Sequence, residues 1–259
     1  MRRDDILRIG GFIVLLALLA VWELASETQL VNPVYLPPIT RIGAAFARLT
    51  ENGELARQIL GSASRFVAGY AVAVALGIVI GVAMGYFRAG YLLLEPVVEL
   101  LRPLPPPAII PLAILLLGIE DRMKIFVIAF GCFFPVVVNA IQGVAGVDRV
   151  LFDTARTFRL STREILWKIV LPAASPSIVA GMRISLAVAL ILTVIAEMVA
   201  SNNGIGFFIL DTERAFRITD MYAGIFTLMV VGYALNRIFV AFEGRALAWY
   251  FGQSRQERT

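Results

Sequence analysis

Six stretches of the chain, residues 9–24, 66–87, 105–119, 125–141, 178–199 and 221–240, are dominated by apolar side chains. An α-helix needs roughly 20 such residues to cross a hydrocarbon core of about 30 Å. Only a helix or a closed barrel satisfies its backbone there. The spacing therefore predicts an all-α fold, a polytopic transmembrane helical bundle of about six spans forming one domain over residues 1–259. Composition agrees: 59% of the 259 residues are hydrophobic and 16% charged, against roughly 45–50% and 25% in soluble domains.

Several function classes fall away at once. The net charge of +4 comes from 21 Arg and 2 Lys scattered between apolar runs, which makes no basic face for a phosphate backbone, so no nucleic acid is expected. There is no His, and the one cysteine, Cys132, lies in an apolar run where it reads as a core or lipid-facing residue. Zinc clusters, disulfides, Ser/His/Asp triads and Cys/His dyads are thereby excluded, and no catalytic residue, metal ligand or bound cofactor is assigned. A Gly-X4-Gly-Lys-Ser/Thr phosphate loop is missing too, so the chain does not hold ATP in that way.

Placing both termini in the cytoplasm puts Arg2, Arg3, Arg8, Arg88, Arg102, the charged run 149–168, Arg245, Arg255 and Arg258 inside. Arg41, Arg48, Arg57, Arg122, Lys124, Arg214 and Arg217 then fall outside, a roughly two-to-one bias of the expected sign. The first run could be taken for a secretory signal, since Ala25 and Ser26 follow a short apolar core. Trp22 and Glu23 stand where small residues would be wanted, and we read it as a retained helix. Residues 32–60 open with Pro33, Pro37 and Pro38, then space Ile42, Phe46, Leu49, Leu55 and Ile59 as an amphipathic helix, expected at the membrane interface.

Gly77, Gly81 and Gly85 recur every fourth residue, sharing one helix face that lets a neighbour approach closely, read as packing within the chain. Pro103, Pro105, Pro106 and Pro107 rule out regular helix where they stand. Broken backbone at depth must be buried or line water, so Pro105, Pro106 and Pro107 mark either a translocation path or a bend introducing a short span. Among the acidic residues Glu95, Glu99 and Glu197, Glu197 lies deepest in an apolar run. A charge at the bilayer centre costs about 2.5 to 3.5 kcal/mol on insertion scales, so Glu197 either faces protein or the path, or sits at the outer interface.

Residues 146–176 are charged and amphipathic and fall on the positive side. They read as two short helices on the cytoplasmic face, the second capped by Ser161 or Thr162 with Glu164 at its positive end. Leu171 and Pro172 are expected to stop that helix and Pro176 to open the next span. Such a knob suits passing a push from a soluble partner into the bundle.

The order Asp153, Thr154, Ala155, then about a dozen residues, then Ile-Val-Leu171-Pro172-Ala-Ala-Ser-Pro176 resembles the coupling-loop signature of binding-protein-dependent ABC importer permeases. Asn32-Pro33, Leu36-Pro37-Pro38, Leu101-Arg-Pro-Leu-Pro-Pro106, Ala196-Glu197-Met198 and Gly204-Ile-Gly206 look like the sulfonate, taurine, nitrate and bicarbonate branch. The resemblance implies a type I importer permease in the bacterial cytoplasmic (inner) membrane, a transport subunit rather than an enzyme. It implies as partners two cytoplasmic ATPase subunits holding ATP and Mg, a second permease subunit, a periplasmic or lipid-anchored solute-binding protein, and membrane lipid. Asp153, Thr154, Ala155, Arg156, Arg159, Ser161, Leu171 and Pro172 would then couple to the ATPase. Thr154 departs from the family's alanine and Arg159 from its glycine; arginine disfavours the positive φ that glycine permits, so either the turn shifts or Arg159 pairs with an acidic residue of the ATPase. A secondary transporter or channel, the alternative class, would want inverted repeats or a charged relay, and neither is evident.

Overall fold

The computed structural model describes residues 3–250, and every described element is helical. In chain order they are α1 (Arg3–Glu27), α2 (Ile39–Glu51), α3 (Glu54–Tyr86), α4 (Arg88–Leu101), a 3-10 turn Pro106–Ile109, α5 (Ile110–Leu117) and α6 (Asp121–Ala145). There follow α7 (Arg149–Thr157), α8 (Thr162–Ile165), a π segment Leu166–Val170, α9 (Leu171–Ala200), α10 (Ile205–Arg214) and α11 (Ile218–Ala246). Arg2, Arg255 and Arg258, and the side chains of Arg3 and Arg8, lie outside the described residues. Contacts divide the chain into one unit of residues 1–61 and 203–230 and another of 62–202 and 231–259.

In the second unit α3 lies against α6 at backbone distance. A Cβ built at Gly69, Gly77, Gly81 or Gly85 would stand 2.7, 2.8, 2.5 or 2.7 Å from the Cβ of Ile128, Val136, Ala140 or Val144 respectively. Those separations admit no side chain, so the four-residue glycine repeat is the fit surface for α6. Both residue series climb together, so α3 and α6 run parallel.

Parallel neighbours dictate what joins them. Residues 87–120 must carry the chain back along the length of both helices before α6 begins. They do so as α4 and α5, bent by 87° at the prolines. The third expected span is thus half of a broken crossing. Among the described residues, four helices pass a length and hydropathy test for spanning, α3, Thr162–Ala200, α6 and α11, and the bent pair makes up to five. The first expected run forms the 25-residue α1.

α9 packs antiparallel on α6, again over small residues. Gly143 meets Ala174 and Ser177, Gly181 meets Pro135 and Asn139, and Gly131 meets Leu192 and the ring of Pro106. The Ser185 hydroxyl donates to the Cys132 carbonyl at 2.9 Å, and Ser177 to that of Asn139 at 2.8 Å. Cys132 is fully buried here, a core residue.

In the first unit α2 buries Ile42, Ala45 and Leu49, and its apolar face joins Leu55, Phe208 and Ala223 in one cluster. Protein, not a membrane interface, covers that face, which corrects the interfacial reading. Pro38 offers α2 no cap, so the Glu23 carboxylate does, accepting from the Ile39 N–H at 2.6 Å and the Thr40 hydroxyl at 2.7 Å. The Trp22 indole N–H donates to the Pro37 carbonyl at 3.1 Å.

Because Gly81 is the tightest point of the α3–α6 contact, Gly81→Ala should destabilise the protein by about 1–3 kcal/mol, the usual cost of overpacking. Thermal unfolding in detergent checks this, with Gly43→Ala, a helical glycine that meets open space, as the control that reports the gain in helix propensity alone.

Candidate functional site

Two constellations stand out, a polar segment between α6 and α9 and an ion cluster formed by α3, α6 and α9. The polar segment is built by caps. The Asp148 side chain accepts from the Val150 N–H at 2.9 Å and starts α7. The second helix starts on a complete capping box, in which Ser161 Oγ accepts from the Glu164 N–H at 3.3 Å and the Ser161 N–H donates back to Glu164 at 3.0 Å.

Between the helices α7 ends in a Schellman closure: the Arg159 N–H donates to the Arg156 carbonyl at 2.9 Å and the Leu160 N–H to that of Ala155 at 3.0 Å. This closure needs a left-handed residue, and Arg159 supplies it at φ 53°. The arginine therefore does not move the turn. It accepts a backbone conformation that costs an L-residue roughly 1–2 kcal/mol.

Ala155, 1% exposed, packs with Leu160, Ile165, Val144, Val170 and Ala174 and seats the segment on the ends of α6 and α9. The opposite face carries Asp153 and Arg156, paired at 3.5 Å and open to solvent, so the pair adds little stability. Exposed beside it are Thr154, whose hydroxyl donates to the Val150 carbonyl at 2.7 Å, and Phe158.

The expected stop at Leu171 and Pro172 is absent. Pro172 has no N–H for the Lys168 carbonyl, and the helix widens instead, the Leu171 N–H reaching back to Leu166. α8, the π segment and α9 thus form one run of 39 residues, Thr162–Ala200, with Pro172 and Pro176 in its interior. At 1.5 Å per residue that is about 58 Å, nearly twice a hydrocarbon core. Its first turns, with Arg163, Glu164 and Lys168, consequently project beyond the apolar layer. There the Lys168 ammonium, then the Ser161 N–H and hydroxyl, hold the Glu164 carboxyl down at about 2. A depressed carboxylate contributes above its unfolded pKa and loses the contribution as pH falls through the folded value, so the cap persists in mild acid.

The ion cluster resolves where Glu197 lies. It is 1% exposed, accepting from Arg65 Nη1 at 2.9 Å and from the Ser62 hydroxyl at 2.9 Å. It faces protein rather than a membrane interface. Arg65 Nε donates to Asp121 at 2.6 Å. Lys124 stands 3.4 Å from Asp121 and donates to the Ile119 carbonyl at 3.1 Å. Sequence reasoning passed over Arg65, although an arginine opening an apolar run signals an intramembrane partner for a carboxylate.

Pro105, Pro106 and Pro107 form the elbow, whose Pro106 ring fills the notch over Gly131 beside Leu192. A cleft of about 210 Å³ lies between α3, α4 and α6 and is lined in part by Glu95, Glu99, Arg102 and Gln142. Among the described residues no group of acidic or cysteine side chains is placed to hold a metal ion.

Residues 73–247 match the family of binding-protein-dependent transport system inner membrane components. The chain is 33% identical over 239 residues to the putative aliphatic sulfonates transport permease protein SsuC of Bacillus subtilis (strain 168), covering 92% of this chain and 87% of that one. It is 32% identical over 254 residues to the taurine transport system permease protein TauC of Escherichia coli (strain K12), covering 96% and 91%. In fold it is similar to a structure of the MetNI methionine ABC transporter in inward-facing conformations, with a TM-score of 0.65 at 16% identity, over 74% of this chain and 95% of that one.

Removing one partner of a buried pair leaves the other charge uncompensated. Arg65→Ala should therefore cost about 3–5 kcal/mol, whereas Arg65→Met combined with Glu197→Gln should cost much less. Unfolding of both variants in detergent measures the difference.

Proposed function

The chain belongs to the family of binding-protein-dependent transport system inner membrane components, and from that membership we propose that it is the permease of an ATP-driven importer for a small anionic nutrient. The sulfonates and taurine named for its relatives set the class, to which the sequence resemblance adds nitrate. Both termini lie in the cytoplasm, the solute arrives on a periplasmic or lipid-anchored binding protein, and it leaves on the cytoplasmic side.

The observation that carries this reading is the segment α7–α8. It offers an exposed polar face on a buried apolar base and continues without a break into a spanning helix. A soluble partner pressing on that face moves the helix that packs along α6. We assign that partner as an ATPase subunit, two copies of which hold ATP and Mg and serve two permease subunits, in the simplest case identical. Asp153, Thr154, Ala155, Arg156, Arg159 and Ser161 make or support the docking face, and Leu171 and Pro172 join it to α9.

The solute passes between the permease subunits. Broken backbone that faces neither lipid nor its own helix is what a path requires, and the elbow at Pro105, Pro106 and Pro107 offers it. Glu197 acts there indirectly, through Arg65, by fixing the ends of α3 and α9.

Asp153→Lys, a change on the exposed face, should abolish solute-stimulated ATP hydrolysis in proteoliposomes containing the ATPase and binding protein, with membrane insertion unchanged. Hydrolysis coupled as in the unaltered chain would remove the segment from this role. Uptake down an ion gradient by the chain alone would instead favour a secondary transporter. Ligand-induced thermal stabilisation of the cognate binding protein identifies the solute, because binding to the native state raises apparent stability by mass action.

A further inference from the structure

Arg159 occupies a backbone position that glycine fills without strain, at φ 53°, and it closes the turn between α7 and α8. Strain of this kind persists only where the surrounding structure holds it, and here the two backbone hydrogen bonds of the closure do so. The side chain is not used inside the chain: among the described residues Arg156 pairs with Asp153 and Lys168 with Glu164, while the exposed Arg159 guanidinium has no ion pair. Its backbone is nevertheless fixed, because Ala155 and Leu160 on either side of the closure are anchored in the core beneath. The charge is thus presented outward from a rigid base, and Phe158, 74% exposed, stands next to it.

We infer that the Arg159 guanidinium docks onto an acidic side chain of the ATPase subunit, with Phe158 entering an apolar floor beside it. The inference rests on the docking role proposed above and adds the chemistry of the partner's surface. Arginine suits it, since the planar fork binds a carboxylate through two hydrogen bonds and is lightly hydrated. Around the turn, Arg149, Arg156, Arg159, Arg163 and Lys168 outnumber Asp148, Asp153 and Glu164, so the complementary surface is acidic. A protein groove also fits better than anionic lipid, because Asp153 and Glu164 on the same segment would be repelled by headgroups, whereas a groove can match a mixed pattern.

The test uses the full-length chain in nanodiscs of neutral phosphatidylcholine and, as probe, the purified ATPase subunit that copurifies with it. Arg159→Gly should leave the melting temperature equal or higher, since it relieves the turn. It should also weaken ATPase binding by about tenfold at low salt and flatten its salt dependence. Arg159→Lys should retain part of the affinity and Arg159→Glu should bind worst.

Binding of Arg159→Gly as tight as that of the unaltered chain overturns the inference. So does a defect seen only when the nanodiscs contain anionic lipid, which would make Arg159 a membrane contact. If the unaltered chain binds no ATPase at all, the docking role itself fails, an outcome distinct from either.

Discussion

The rest of the structure hangs on the approach of α3 to α6 with no α3 side chain between them. Glycine at four points along α3 brings the two backbones to a separation that a methyl group would prevent. In an apolar solvent there is little hydrophobic gain in bringing helices together, so close dispersion contact has to supply the attraction. Because the helices so joined run parallel, the intervening segment must return across the bundle. The proline elbow is how it does so in 34 residues. α9 then closes on an adjoining face of α6 over three more glycines, and the seat for α7 and α8 is the common end of α6 and α9.

A core held by contact alone tolerates charge only where charge is fully answered. Arg65, Glu197, Asp121 and Lys124 come together from three helices, and the buried side chains of Arg65 and Glu197 satisfy one another. Such a pair contributes less to stability than equally well packed apolar groups would. What it does fix is register, since sliding α3 past α9 by a single turn, about 5.4 Å, would strand both charges.

Much of this was legible from residue order. The helical class, the glycine face and the capped polar segment follow from local rules that act over four residues or fewer. Ser161 caps α8 as its chemistry requires, and the left-handed turn falls at Arg159, where the family pattern expects glycine. What was illegible depended on partners distant in sequence. Glu197 looks peripheral until Arg65, 132 residues away, is placed beside it. The apolar face of α2 reads as membrane-seeking until Phe208 and Ala223 cover it. At Pro172 a rule about single residues predicted a stop, whereas a π widening absorbed the missing donor.

That widening has a rotational consequence. A π segment holds one residue more than the α-helix around it would, and each residue of an α-helix turns the chain by about 100°. The side chains of α8 and those of α9 therefore belong to two different angular phases of one rod. The widened turn absorbs that surplus locally, so α8 and α9 remain one continuous rod while the apolar pattern slips by one residue between them. An α-helical period carried straight through Leu166–Val170 would place the buried side of α8 about 100° from where it lies.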